Sequence, residues 1–346
     1  MSILKNKDEN IFNCEKTPEG QDPIKYIFTK SNENIKKIIE ENKPASILRI
    51  GGSDYWAFWN NKFNELMYEL NGYFDKTTNS LEEQENFQII RNKYIEALKN
   101  SNMVGVANII QIRSFGFIPQ QIDVFSDEEK CFLEENIPDN IPICHWDFAC
   151  LNYENNFFLN IFPILNNKKI CIISSFTEDI KEQLLIKDKL FENKCYNDRV
   201  GYVYKDFKYP EFKSVEYINV PMCYIEYNKR HKLNSNFNNS LELLQNLEKQ
   251  IDNTDSEIYL VGAGVYTFML CDYIKKKGKI SIYCGSTIQL FFGLKGNRFT
   301  YLEEQNIVNE YWKYPDLSKC TLYFSDLDDV GGFETDGLMA YTKKYK

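Results

Sequence analysis

Apolar and polar positions along this chain follow two periods, and both are clearest between Ile258 and Phe299. There the apolar run Ile258 to Val261 meets a glycine pair, Gly262 and Gly264. Val265, Phe268, Met269 and Tyr273 then fall on one helical face, before Gly278, a second apolar run from Ile280 to Tyr283, and Gly285. The order predicts strand, glycine turn, helix and strand, a βαβ unit. Such a unit puts its strand ends and helix N-terminus on one edge, where backbone N–H groups and the helix dipole favour an anion such as phosphate.

The same alternation recurs upstream. Residues 1–30 are polar without a clean period and read as an extension. Ile35, Ile38 and Ile39 predict a helix over 31–42, ended by Pro44. Ser46 to Ile50 reads as a short buried strand running into Gly51-Gly52-Ser53-Asp54, after which Trp56, Trp59, Phe63, Leu66, Met67 and Leu70 form one face of a helix. Ser80 with Glu83 resembles a capping box, opening a helix that carries Phe87, Ile90, Tyr94 and Leu98 on one side. Met103 to Ile112 predicts a strand. Between Ser114 and Leu165, Pro119, Pro138, Pro142 and Pro163 interrupt any long element, and no element is predicted there.

Lys169 to Ser174 is a buried-strand pattern followed by an acid-rich helix start at Thr177-Glu178-Asp179, with the helix predicted to run to about Phe191. Val215 to Val220 predicts another strand, and Ser240 to Ile251 a helix with Leu241, Leu244 and Leu247 on one stripe. Strands alternating with helices in this way predict an α/β fold with a Rossmann-like, mostly parallel, doubly wound sheet. The expected division is an N-terminal extension over 1–30, one Rossmann-like domain over 31–300 and a C-terminal tail over 301–346.

Composition narrows the function classes. The formal charge of -9 argues against a partner bound by neutralising its phosphate backbone, so nucleic acid is not expected. Ten cysteines are scattered without a C-x-x-C pair, and Cys171, Cys271 and Cys284 sit inside apolar runs. Buried free thiols in a reducing compartment are the expectation. The opening residues do not read as a signal peptide, and no apolar run approaches the roughly 20 residues of a membrane span. A cytoplasmic chain without a transmembrane segment is therefore predicted.

The glycines admit more than one chemistry. A dinucleotide site would want a third glycine near Thr267 and an acid after the second strand, where this chain has Cys284-Gly285-Ser286. That argues against nicotinamide or methyl-donor chemistry. Gly285 leads through Ile288 to Phe292 into Gly293-Leu294-Lys295-Gly296-Asn297-Arg298. Lys295 and Arg298 there fit a diphosphate clamp, and equally a glycine C-cap with cations answering the helix dipole. Asp54, behind the Gly51-Gly52 turn, fits a cation ligand or general base, but the local pattern fits better a helix N-cap with Arg49 paired to a structural acid.

Several of these stretches resemble the GT-D type glycosyltransferases and GT-D-like proteins of surface-polysaccharide genes. Arg49-Ile50-Gly51-Gly52-Ser53-Asp54 is similar to that family's R-[FI]-G-D-G-E, and Cys171 to Phe176 with Ile180 and Gln183 follows its central strand and helix. Gly262, Gly264, Tyr266, Leu270, Lys275, Gly278, Lys279, Gly285, Gln289, Phe292, Gly293, Lys295, Gly296, Arg298 and Phe299 follow its late pattern, with Asn309, Trp312 and Pro315 as its N-x-x-W-x-x-P tail.

The resemblance implies transfer of a sugar from a nucleotide-sugar donor to a glycan-type acceptor. In that reading Asp54 and Arg49 are catalytic, while Gly51, Gly52, Ser53, Gly262, Gly264, Gly285, Gln289, Lys295 and Arg298 bind the nucleotide, with manganese or magnesium as the implied metal. One departure opens an alternative. The family's acid-x-acid pair is here Gly52-Ser53-Asp54, so only the second acid is present, as expected also of a non-catalytic nucleotide- or sugar-binding relative in glycan assembly. Asp326-Leu327-Asp328-Asp329, behind a strand-like Thr321 to Ser325, reads as a solvated acidic turn. His145 and His231 are too far apart in sequence to suggest a metal site.

Overall fold

The computed structural model describes residues 23–50, 72–106, 135–137, 143–145, 160–192, 196–197, 201–202, 207–225, 227–296, 303 and 308–323. Apolar runs become strands β1 (Ala45–Ile50), β2 (Met103–Val106), β3 (Ile143–His145) and β4 (Lys169–Ser174). A two-residue antiparallel pair, β5 (Tyr196–Asn197) and β6 (Gly201–Tyr202), stands by itself, and β7 (Ser214–Asn219), β8 (Ile258–Gly262) and β9 (Ile280–Tyr283) complete the set. The main sheet has seven strands in the order β3-β2-β1-β9-β8-β4-β7, and every neighbouring pair is parallel.

Helices cover both faces. They are α1 (Pro23–Glu41), α2 (Ser80–Lys99), α3 (Thr177–Leu184), α4 (Lys187–Leu190), α5 (Ser240–Asp252), α6 (Thr267–Lys276) and α7 (Ile288–Phe291). The strands read as unbroken apolar runs because both of their faces are buried. Alternate side chains divide between two cores: Leu48, Ile50, Cys171, Ile173, Tyr259 and Val261 pack with α2, α5 and α6. Ile47, Ile170, Ile172, Leu260 and Ile282 pack on the opposite side with α1, α3, α4 and α7. This is the doubly wound α/β sheet that the alternation predicts.

Several neighbouring strands of the sheet send their chains to opposite faces, β8 and β9 among them. From β8 the chain enters α6 on the first face, whereas β4 next to it leads into α3 on the second. Likewise the chain leaving β1 returns through α2, while that leaving β9 enters α7. A ligand crevice opens at the carboxyl ends of strands at such switch points.

Several boundaries differ from expectation. Helix α1 begins at Pro23, inside the stretch read as an extension, because the apolar spacing continues backward through Phe28 and Ile24. Asn79, not Ser80, caps α2 by accepting the Leu81 N–H, and Glu83 is instead drawn into an ion pair with Arg230. The helix predicted to reach Phe191 breaks into α3 and α4, with Leu185 left exposed at the break. On α5 the buried stripe is Leu243, Leu244, Leu247 and Ile251, with Leu241 only packed against its rim. Of the strand predicted over 321–325, residues 321–323 are described, and Leu322 among them forms a bridge to Met222. The helix predicted over 56–70, the strand beyond Val106 and the acidic run 326–329 lie outside the described residues. Among the described residues no helix is long and apolar enough to cross a membrane.

Candidate functional site

Three residues from distant parts of the chain meet at the carboxyl edge of the sheet. Arg49, next to last in β1, is only 8% exposed. Its Nη1 lies 3.7 Å from the point where a Cβ on Gly285 would stand. Gly285 opens the turn after β9 at φ +55, a conformation that disfavours any side chain. Burial pushes the adjacent Cys284 thiol well above its ordinary pKa, and the charge on Arg49 pulls the other way.

Gly262 answers to a different constraint. A Cβ there would stand 2.6 Å from the Gly285 carbonyl oxygen and 2.9 Å from Ile288 Cγ2. The turns after β8 and β9 therefore press together where only glycine fits. Gly264, at φ +53, starts the single turn leading into α6, and the Ala263 N–H is taken up by Thr267 Oγ1 at 3.0 Å. The chain's own packing accounts for these glycines. Its result is two βα turns and an enclosed guanidinium at one switch point, an arrangement suited to an anion.

A buried polar network supports the edge from the first face. The Tyr266 hydroxyl lies 3.0 Å from Ser240 Oγ, which accepts the Phe74 N–H at 2.8 Å. Ser240 N–H donates back to the Phe74 carbonyl at 2.9 Å. Next to it Glu83 and Arg230 pair at 3.1 Å, with the glutamate side chain 2% exposed. Asp75 accepts from Asn86 Nδ2 at 2.8 Å and from the Thr77 N–H at 2.9 Å, and burial holds its carboxyl above the usual range. Burial, with the charges of Asp75 and Glu83, likewise raises the Tyr73 phenol. These contacts anchor 72–77, where the chain returns from the segment that holds Asp54. The Phe74, Ser240 and Tyr266 contacts are not readable from local spacing, since Ser240 and Tyr266 come from elements far downstream of Phe74.

Lys295 is held by a separate set of contacts. Its backbone N–H donates to the Lys313 carbonyl at 2.7 Å, and its ammonium pairs with Glu303 at 3.3 Å. Gln289 is wholly enclosed within α7, its carbonyl accepting the Leu294 N–H at 2.9 Å. Three other residues of the family-like pattern turn out to fasten the chain to itself. Gln183 Nε2 donates to the carbonyls of Gly293 and Tyr311, Asn309 Nδ2 to that of Lys189, and Trp312 Nε1 to that of Leu190. Gly51, Gly52, Ser53, Asp54 and Arg298 lie outside the described residues. Among the described residues no group of three or more His, Cys, Asp or Glu is placed to hold a metal ion.

No family model matches the chain, and no curated protein matches it. Among solved structures it is similar to a protein of Streptococcus sanguinis described as a new glycosyltransferase (DUF1792), at 11% identity and a TM-score of 0.42 over 85% of this chain and 92% of that one. It is also similar to a structure of the highly conserved domain of unknown function 1792, described as having a distinct glycosyltransferase fold. There the identity is 11% and the TM-score 0.39, over 82% of this chain and 86% of that one. The likeness is one of chain arrangement.

Proposed function

We propose that this chain transfers a sugar from a nucleotide-sugar donor to a glycan-type acceptor in polysaccharide assembly. The observation that carries the reading is Arg49, enclosed at the carboxyl end of β1 against the Gly285 turn and immediately ahead of the Gly51 to Asp54 motif. In the reaction the bond from the anomeric carbon to the donor diphosphate breaks and a bond to the acceptor oxygen forms. The acceptor's proton passes to a base, the role we assign to Asp54. The departing diphosphate gains charge, which Arg49 meets, joined by Lys295 and Arg298.

The described donor set at this edge, a guanidinium with two βα turns, fits an anion and not a metal cation. No step is routed through a metal; manganese or magnesium, if used, would rest on Asp54. Five free cysteines among the described residues suit a reducing, cytoplasmic setting, where nucleotide sugars are made.

The test is turnover of a panel of nucleotide sugars with release of nucleoside diphosphate as the readout. Asp54→Asn should abolish transfer, and Arg49→Met should slow it by about a hundredfold or more. Wild-type rates in both variants would remove this edge from the chemistry. Glycine at position 52, in place of the motif's first acid, favours a second reading, a non-catalytic nucleotide- or sugar-binding protein. Nucleotide binding without turnover of any donor would select it.

A further inference from the structure

The segment after Val308 touches both sides of the molecule in turn. On the second face, α3 presents Asp179 and Glu182 to it. Asp179 is fully buried, yet its Oδ2 accepts the Asp316 N–H at 2.9 Å and its Oδ1 the Lys313 ammonium at 2.7 Å. Glu182 receives Lys313 at 2.5 Å and Lys319 at 2.7 Å. Lys313 also ties the segment to the loop after α7: its carbonyl accepts the Lys295 N–H, and its own N–H donates to Gly293 at 3.2 Å.

Farther on, the chain crosses the carboxyl end of edge strand β7. Asn219, the last residue of that strand, donates from Nδ2 to Thr321 Oγ1 at 3.1 Å, and Met222 N–H donates to the Thr321 carbonyl at 2.8 Å. Tyr323 then donates its N–H to Met222 at 3.2 Å, and its ring meets Phe74 edge-on at 6.2 Å. Phe74 belongs to the limb that returns from the Asp54 segment. One stretch of backbone therefore spans from the loop bearing Lys295 to the limb beside Phe74, and its charged fastening is on α3.

We infer that residues 308–323 form a strap that couples these two loops, so that releasing its clasp at Asp179 and Glu182 loosens both together. Asp179 is thus a positioning residue, acting through Lys313 on Lys295. Glu182 suits a clasp that stays charged near neutrality, because the Lys313 and Lys319 ammoniums hold its carboxyl down to about 2. The coupling stands independently of the transferase reading, and is measured without any ligand.

Glu182 is half exposed, so Glu182→Lys sets three like charges together without disturbing a core. Hydrogen exchange by mass spectrometry on the full chain should then show about fivefold to tenfold faster exchange at 309–323, 293–296 and 72–76, with β4 and β8 unchanged. Adding Lys319→Glu re-forms an opposite-charge pair and should restore protection at all three segments. Faster exchange confined to 309–323, unchanged exchange throughout, or no recovery in the swapped pair overturns the coupling. Should Glu182→Lys also lose protection at β4 and β8, Tyr323→Ala tests the same coupling from the other end. Faster exchange at 293–296 is expected there, and a change limited to 72–76 and 321–323 overturns it.

Discussion

Replacing Gly262 with alanine separates two reasons for a glycine turn. If the missing side chain makes room for a ligand, alanine should weaken ligand binding and leave the fold alone. The geometry predicts the opposite order of effects. An alanine Cβ would stand 2.6 Å from the Gly285 carbonyl oxygen, far inside contact distance, and 2.9 Å from Ile288 Cγ2. Ile288 can change rotamer, but the carbonyl is the backbone of Gly285, which is itself already held at φ +55. The two turns must therefore part by several tenths of an ångström. Overpacking of this kind costs about 1–3 kcal/mol, and a backbone obstacle places Gly262→Ala in the upper half of that range.

Urea unfolding followed by circular dichroism measures the loss as a lower midpoint at unchanged slope. Gly278→Ala is the comparison, because nothing lies within 4 Å of its Cβ and the strain comes from φ +82 alone. Its expected cost is about 1–2 kcal/mol. A Gly262→Ala protein within about 0.5 kcal/mol of wild type would refute the packing argument and return that glycine to the ligand.

Two further outcomes follow from the charges and thiols. Glu182 has its carboxyl depressed from 4.5 to about 2 in the folded chain, so its ion pairs stabilise fully above about pH 4.5 and are lost as pH falls toward 2. Glu182→Gln should therefore lower the unfolding midpoint at pH 7 and match wild type near pH 2; a difference that persists at pH 2 would contradict the pairing. Of the five cysteines whose side chains are described, Cys320 is partly exposed and Cys171, Cys223, Cys271 and Cys284 are buried; burial raises all five thiols, those of Cys271 and Cys320 to about 12, so exposure sets the order of reaction. Brief alkylation followed by peptide mapping should modify Cys320 first and the other four only in denaturant, and early labelling of Cys284 would show the edge to be more open than described.

What the linear pattern discloses is what is local. Lys169 to Ser174 is buried on both sides and reads as a strand with the observed bounds, and the β8 to β9 unit is legible because its turns carry their own glycines. The break after Leu184 is hidden because Leu184, Leu185 and Ile186 continue an apolar pattern, although Leu185 ends up 85% exposed. Asn79 and Ser80 are both competent caps, and tertiary demand on Glu83 decides between them. Gly262 is ambiguous in the sequence for a related reason: its partner is a carbonyl on another turn. The α3 clasp is illegible for distance alone, since Glu182 and Lys313 lie 131 residues apart.

The proposed transfer rests on an enclosed Arg49 at the sheet's carboxyl edge receiving a nucleoside diphosphate. Calorimetric titration of the purified chain with UDP, GDP, dTDP and CMP, with and without manganese, in wild type and in Arg49→Lys and Arg49→Met, tests it most directly. Saturable binding of one nucleotide class is expected, weakened in Arg49→Lys because the planar fork is lost and by about a hundredfold or more in Arg49→Met. Folding stability should rise with it by about 2.7 kcal/mol at a hundredfold excess over Kd. Binding of the same affinity in wild type and Arg49→Met, or no heat with any nucleotide in the wild-type chain, would contradict it.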